Sequence, residues 1–274
     1  MNRPGMNLSQ RGCPSCKDSS SSVEYQSKDY AVVRCDPCGF VYLPVSASFD
    51  HYVEGDGAWE NSIGANTALR LKKMPLRTKL SLATRFRTKF RKKTPVSYLD
   101  RHFSATEQKR IDVLDIGCGD GGYLLSLEDR FVPFGIEISK ELALHAEAVF
   151  SGRGGSVINA PTTKALYQFQ SQSMDAIVMR SYLEHEAEPL EVLQGCANVL
   201  KKTGLVVIKV PNYASLNRIV MGSNWCGLRF PDHVNYFTPK SLSTMANMAG
   251  FKTIQRIADK LPTSDNMWAV LTPA

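Results

Sequence analysis

An apolar run from Ile111 to Ile116 opens into a loop with glycine at positions 117, 119, 121 and 122. Asp115 stands two residues before the first glycine and Glu137 twenty after it. Such a run reads as a buried parallel strand, and the loop as a tight turn before a helix beginning near Tyr123. At that turn a ligand meets bare backbone at a helix N-terminus. Glycine at 117 and 119 tolerates positive φ and removes the Cβ atoms that would block the ligand's approach. The triplet 117, 119, 122 also satisfies the dinucleotide pattern G-x-G-x-x-G, a weak signal alone. A pyrophosphate has little use for a carboxylate at the mouth of its turn, whereas a cationic ligand with an amino group does. Glu137, at the end of the next candidate strand, suits the two hydroxyls of a ribose.

The stretch Val113 to Gly122 resembles motif I of class I S-adenosylmethionine-dependent methyltransferases, written acidic-x-Gly-x-Gly-x-Gly. Met174-Asp-Ala-Ile-Val-Met-Arg-Ser-Tyr-Leu-Glu-His185 resembles the fourth strand and following loop of the same superfamily. By that resemblance S-adenosylmethionine lies along Asp115, Gly117, Cys118, Gly119, Gly121, Glu137, Ile138, Asn159 and Arg180. The implied fold is α/β: a doubly wound, mostly parallel seven-stranded sheet with an antiparallel last strand. Third-strand acidic contacts to adenine are missing from Val157-Ile-Asn-Ala-Pro161, and Asn159 or the Ala160 backbone is the substitute.

Methyl transfer from a sulfonium is an in-line displacement, so the fold mainly aligns donor and acceptor. An oxygen acceptor must also lose a proton, which suits a histidine, worth roughly 10²–10⁴ in rate. His185, just past the fourth strand, and His233, in Arg229-Phe-Pro-Asp-His-Val-Asn-Tyr-Phe-Thr238, are the candidates. The plain alternatives are a loop-ordering role for His185, and for His233 a loop held by Asp232 and Asn235. Related methyltransferases carry a similar His-x-x-(Tyr/Phe)-Phe-Thr segment near the acceptor. His51, His102 and His145 have no supporting neighbours. Ubiquinone-pathway O-methyltransferases carry Glu-x-x-Glu-His after strand four, which can bind Mg²⁺. Here Ser181 replaces the first glutamate, which counts against metal-assisted catalysis.

Cys13-Pro-Ser-Cys16 and Cys35-Asp-Pro-Cys38 are separated by eighteen residues. Two such pairs at that distance read as a four-thiolate zinc ribbon, with a redox Cys-x-x-Cys as the runner-up for either pair alone. Gly39 suits the turn after the second knuckle, while Lys17 stands where the first often has glycine. So small a module cannot build a core, and zinc binding on the order of 10–16 kcal/mol would fold it outright.

With 274 residues, 43% of them hydrophobic, the chain can bury one α/β core plus a small module. The divisions expected are 1–50 zinc ribbon, 51–110 basic helical linker or lid, and 111–274 methyltransferase domain. Strands are expected at 111–116, 132–137, 155–158, 174–180, 205–210, 251–257 and 267–272. Helices are expected at 121–129, 139–150, 188–200 and 239–249. Thr238-Pro239 starts the last helix and Gly250 closes it. No run of eighteen apolar residues or secretory h-region is visible, and seven cysteines favour thiols or metal over disulfides, so the expected location is cytoplasmic.

The net charge of +7 is local. Eleven Lys/Arg and no acid lie between Arg70 and Lys93, leaving 22 basic against 26 acidic residues elsewhere. Leu76, Leu80, Ala83, Phe86 or Arg87, and Phe90 lie near helical spacing within that tract. Three readings stay open: a solvated helix over the cofactor cleft, contact with an anionic membrane surface, and contact with a phosphate-bearing substrate or nucleic acid.

The ribbon-plus-methyltransferase arrangement resembles bacterial enzymes of sugar, polysaccharide and natural-product pathways. Deoxysugar C-methyltransferases share it but continue into a third domain, whereas this chain ends just after its candidate seventh strand. The expectation is O-methylation of a sugar, glycan or natural-product small molecule. The alternatives are an RNA methyltransferase and a non-catalytic S-adenosylmethionine-binding partner subunit. An Asn/Asp-Pro-Pro-aromatic motif, frequent in N-methylating nucleic-acid enzymes, is absent at Arg180-Ser-Tyr-Leu183. Fold resemblance does not fix the acceptor.

Overall fold

The computed structural model of the protein describes residues 8–47, 95–254 and 264–274. The basic tract 70–93, most of the expected linker, and His51 lie outside these. The N-terminal part forms β1 (Leu8–Gln10), β2 (Ser21–Gln26), β3 (Ala31–Cys35), β4 (Val41–Tyr42) and β5 (Val45–Ala47). There follow α1 (Pro95–Phe103), β6 (Ile111–Ile116), β7 (Phe131–Ile136), α2 (Lys140–Ser151), β8 (Val157–Ile158), α3 (Thr162–Ala165), β9 (Met174–Arg180) and α4 (Pro189–Val199). The rest is β10 (Leu200–Pro211), α5 (Leu216–Met221), β11 (Asn235–Tyr236), α6 (Pro239–Met248), β12 (Phe251–Ile254) and β13 (Asn266–Pro273).

The main sheet runs β8-β7-β6-β9-β10-β13-β12. Strands β6 to β10 within it are mutually parallel, and β13 lies antiparallel between β10 and β12. This is the expected seven-stranded mixed sheet. Its central strands β6 and β9 are apolar because helices cover both faces, so they bury nearly every residue. The chain leaves β6 toward β7 on one side and returns to β9 on the other. The loops after these strands therefore diverge at a switch point, where open α/β sheets hold ligands.

One expected element is replaced. The helix expected over 121–129 is a short 3₁₀ turn, Leu124–Ser126. Only residues 117–130 join β6 to β7, and Gly117, Gly119 and Gly121 all take positive φ. The chain regains right-handed helical geometry at Tyr123 and is extended again by Leu127. The glycine loop thus does not end at an α-helix N-terminus, and the helix-dipole argument does not apply. The last helix forms as expected: Thr238 and Ser241 make a reciprocal capping box and Pro239 opens the first turn.

The N-terminal part is not closed upon itself. Its sheet is ordered β11-β4-β3-β2, so residues 235 and 236 add a strand to it from far along the chain. Val33, Phe40 and Tyr42 share one apolar cluster with Leu114, Ile116, Phe237 and Leu242 of the catalytic part. The Phe40 and Phe237 rings meet edge-on at 5.3 Å. A module too small to bury its own apolar side chains buries them against its neighbour.

Arg11 locks the two parts together. Its guanidinium donates to the carbonyls of Leu43 (3.0 Å), Ala187 (2.7 Å) and Val234 (2.6 Å) and to Asn235 Oδ1 (2.8 Å). Burial lowers its pKa to about 10 despite the nearby Glu188 carboxylate. Truncation to Arg11→Met takes this donor from the Leu43 and Ala187 carbonyls, each worth roughly 1–3 kcal/mol if left buried and unpaired, whereas the Val234 carbonyl keeps the Leu43 N–H. Thermal unfolding should show a loss of roughly 3 kcal/mol or more. Arg11→Met and Asn235→Ala should be strongly non-additive, because they share a contact. An unchanged midpoint in Arg11→Met would show that the lock is dispensable.

Candidate functional site

The glycine loop is held in place by packing and by one carboxylate. Glu137, just past β7, accepts from the backbone N–H of Gly119 through Oε2 and of Ser139 through Oε1, both at 2.9 Å. It thereby ties the loop after β6 to the start of α2, and carboxylate lone pairs remain for further donors. Asn159 Nδ2 donates to the carbonyls of Glu137 (2.8 Å) and Ile138 (2.9 Å), fixing the turn after β7 from the end of β8. Asn159 therefore works on this turn through its side-chain amide.

The glycines differ in what they permit. A Cβ on Gly121, at φ +78°, would come within 2.9 Å of the Phe150 ring, which sets the loop against α2. A Cβ on Gly117, at φ +72°, would lie 2.7 Å from the Tyr182 ring, so the loops after β6 and β9 touch. Gly119, at φ +58°, faces open space: a Cβ there would meet nothing within 4 Å. Cys118 turns its buried thiol inward, packed so closely on Gly135 that a Cβ there would lie 2.6 Å from Sγ. Only its backbone is left to line the loop.

Asp115 is 4% exposed. Burial lifts its carboxyl to about 7; Arg180 opposes that shift and the Glu137 charge adds to it. Arg180, exposed at the end of β9, lays its guanidinium 4.0 Å from the centre of the Tyr123 ring. Tyr123 is a site neighbour that sequence reasoning missed, and nothing in its spacing marked it.

The loop after β9 is the second wall. Ser181 takes φ +56°, and its hydroxyl accepts from Lys209 Nζ at 3.2 Å. The Tyr182 hydroxyl is shared with Thr162 (2.7 Å) and the Glu186 carboxylate. Glu184 is 1% exposed, and its Oε2 has no hydrogen-bond partner. Burial raises its pKa to about 8, against the pull of its own backbone N–H, Lys209 and Arg229. Asn235 Nδ2 donates to the carbonyls of Leu183 (2.9 Å) and Glu186 (2.6 Å), so it ties this loop to β11.

His185 and His233 meet here. Their ring centroids lie 4.7 Å apart at 82°. His185 Nδ1 lies 2.8 Å from the Asp232 carbonyl and His233 Nδ1 2.9 Å from that of Gly227. A carbonyl only accepts, so both rings carry the proton on Nδ1. Burial lowers the pKa of His185 to about 4 and of His233 to about 3, where the charge of His185 adds. Both rings are neutral at pH 7, and each alone holds a proton weakly. His102 bonds the Thr203 carbonyl, and His145 is exposed on α2. Neither joins the site.

Some distance along the chain, the four thiols of Cys13, Cys16, Cys35 and Cys38 gather with their sulfurs within 4.8 Å of one another. Lys17 takes φ +65° at the knuckle where glycine was expected, and its ammonium pairs with Glu188 just before α4. The departure from glycine at 17 thus gives the ribbon a second tether.

A family model described as a methyltransferase domain matches residues 87–256, more than half of the chain. The chain belongs to that family. This methyltransferase is 26% identical over 164 residues to the ubiquinone biosynthesis O-methyltransferase of Nitrosospira multiformis, covering 57% of this chain and 67% of the relative. To the protein of the same name from Paraburkholderia phymatum it is 27% identical over 172 residues, covering 58% and 70%. An S-adenosylmethionine-dependent methyltransferase from Clostridium acetobutylicum shares the fold, with a TM-score of 0.52 and 12% identity over 65% of this chain and 90% of that one. The methyltransferase is an S-adenosylmethionine-dependent enzyme of mixed α/β fold. Among its described residues no helix is long and apolar enough to cross a membrane.

The glycines give a direct test. Gly121→Ala meets both left-handed strain and the Phe150 ring, and should cost about 3 kcal/mol or more. Gly119→Ala meets strain alone, about 1 kcal/mol, and should instead weaken ligand binding at a folded loop. Differential scanning calorimetry with cofactor titration separates the two. Equal destabilisation with equal binding would mean that Gly119 does not face the ligand.

Proposed function

We propose that this methyltransferase moves the methyl group of S-adenosylmethionine to an oxygen of a sugar, glycan or natural-product small molecule. The observation that carries the reading is a juxtaposition at one sheet edge. The open face of Gly119 and the Glu137 carboxylate lie at the ends of β6 and β7. The enclosed Glu184–His185–His233 group lies beyond β9, and Tyr182 packed on Gly117 joins the two walls. The relatives' names as O-methyltransferases favour oxygen as the acceptor atom.

The residues fit the cofactor's chemistry. Gly119 removes a side chain where backbone must be approached, and Glu137 keeps acceptor capacity for ribose hydroxyls. Asp115 offers a buried carboxylate to an ammonium group, with Gly117, Gly121, Ile138 and Arg180 lining the same edge. S-adenosylmethionine supplies an electrophilic methyl group on a sulfonium. The protein's part is to align the acceptor and to take its proton, and the latter falls to the group containing His185 and His233. In this reading residues 111–274 are the catalytic domain, 51–110 a basic linker or lid, and 1–50 a ribbon whose Cys13, Cys16, Cys35 and Cys38 hold a structural Zn²⁺.

Calorimetry should show S-adenosylmethionine binding that Glu137→Ala weakens by about 1–3 kcal/mol. The pH dependence has a definite sign. The ligand-free Asp115 carboxyl, held near 7, is protonated on the acid side, and a cationic ligand must displace that proton. Affinity should fall as pH drops through 7, approaching roughly tenfold per unit below it, and Asp115→Asn should flatten the slope. A flat wild-type profile, or tighter binding of NADH, would sink the cofactor assignment. For the ribbon, elemental analysis should return zinc that Cys35→Ser removes together with the folded N-terminal part. Disulfides among these four cysteines in fresh protein would defeat that assignment.

A further inference from the structure

His233 has its backbone held within its own segment. Its N–H donates to the Arg229 carbonyl at 2.7 Å, and its carbonyl accepts from the Tyr236 hydroxyl at 2.9 Å. The buried ring is turned by the Gly227 carbonyl, 2.9 Å from Nδ1. Gly227 in turn lies under the indole of Trp225. A Cβ there would fall 2.1 Å from Cη2, 2.2 Å from Cζ3 and 2.6 Å from Cζ2 of that ring, so only glycine fits. The indole has little room to give way. It is 2% exposed, its N–H donates to Asp265 Oδ1 at 2.8 Å, and the Tyr213 ring meets it at 70° with centroids 6.0 Å apart. Asp265, just before β13, is itself held, since its other oxygen accepts from Asn217 of α5 at 3.1 Å. The Leu228 N–H closes the turn on the Trp225 carbonyl at 3.1 Å, with the Gly227 carbonyl left to the imidazole.

We propose that Trp225 and Gly227 are positioning residues for His233: the indole pressed on the glycine fixes the carbonyl that selects the Nδ1–H tautomer of the ring. Which imidazole nitrogen carries the proton is set by the hydrogen bond made at the other side of the ring. The proposal rests on the transfer to oxygen, in which His233 takes a proton; the reverse tautomer would put an N–H where an acceptor is needed. Glycine has the widest backbone freedom of any residue, so without the indole the Gly227 peptide could turn away from the ring. The site therefore needs both features: the missing Cβ that admits the indole, and the indole that removes the freedom this confers. A packing role alone would ask nothing of the carbonyl's direction. The three closest ring atoms are the outer carbons of the indole, which phenylalanine lacks. A smaller ring at 225 therefore makes room for a Cβ at 227.

The tautomer is read without cofactor or acceptor, so the outcome is separate from that of the methyl-transfer reading. The full chain, labelled with ¹⁵N at histidine, is followed by long-range ¹H–¹⁵N correlation at neutral pH. The His233 signals are those lost in His233→Gln. Wild type should hold His233 in the Nδ1–H form by about tenfold or more, the equivalent of one well-made hydrogen bond. Gly227→Ala should bring that ratio below about threefold by displacing the carbonyl, and Trp225→Phe should do so by freeing it. In the double variant the added methyl fills part of the space given up by the indole, and the ratio should return to within about twofold of wild type. If Gly227→Ala alone does not fold, Trp225→Phe against the double variant decides. A ratio unchanged in Trp225→Phe, or one that stays low in the double variant, would overturn the proposal.

Discussion

The guanidinium of Arg11 is the junction on which the arrangement depends. Its donors satisfy carbonyls on three separate segments: the end of the ribbon, the loop after β9 and the start of β11. Two of these segments share one backbone bond, Leu43 N–H to the Val234 carbonyl, and a buried carbonyl without a donor is expensive. A planar fork of five N–H groups can serve several acceptors at once where a lysine could not. Removing it would loosen the very loop that carries Glu184 and His185. The ribbon therefore acts as one wall of the site's support, through Arg11 and through Lys17 on Glu188.

The site edge is electrostatically divided. Around Asp115 and Glu137, carboxylates crowd together beside Arg180, and burial raises the Asp115 carboxyl to about 7. Beyond β9 the same physics acts on bases: two imidazoles are stripped of water and held neutral, beside a carboxyl that also resists ionisation. The first half faces open space at Gly119, whereas the second is enclosed.

Much of this was legible in the chain. The apolar runs at 111–116 and 174–180 could only be buried parallel strands, and both are. Thr238-Pro239 announced its helix, because capping is local chemistry. The helix expected at 121–129 failed because periodicity says nothing about connection length, and three positive-φ glycines left too few residues to wind one. The reach of Arg11 and the meeting of His185 with His233 were invisible for another reason. They are long-range consequences of strand order, and no local signal in one sequence encodes which distant loops share an edge. Asn235 was legible as a loop-holding residue, but not that the loop it holds is the one after β9.

The borrowed strand β11 has a consequence for biosynthesis. β4 and its partner β11 are about 190 residues apart in the chain. At a ribosomal rate of roughly 5–20 residues per second, β4 waits on the order of 10–40 s before its partner is synthesised. During that interval the nascent ribbon carries an open sheet edge beside Phe40 and Tyr42, a template for wrong pairing with another nascent chain. The thiol knuckles, complete by residue 38, and the β2–β3 hairpin between them are able to set during that wait. They would hold β3 and the start of β4 in register until the rest of the protein arrives to cover them.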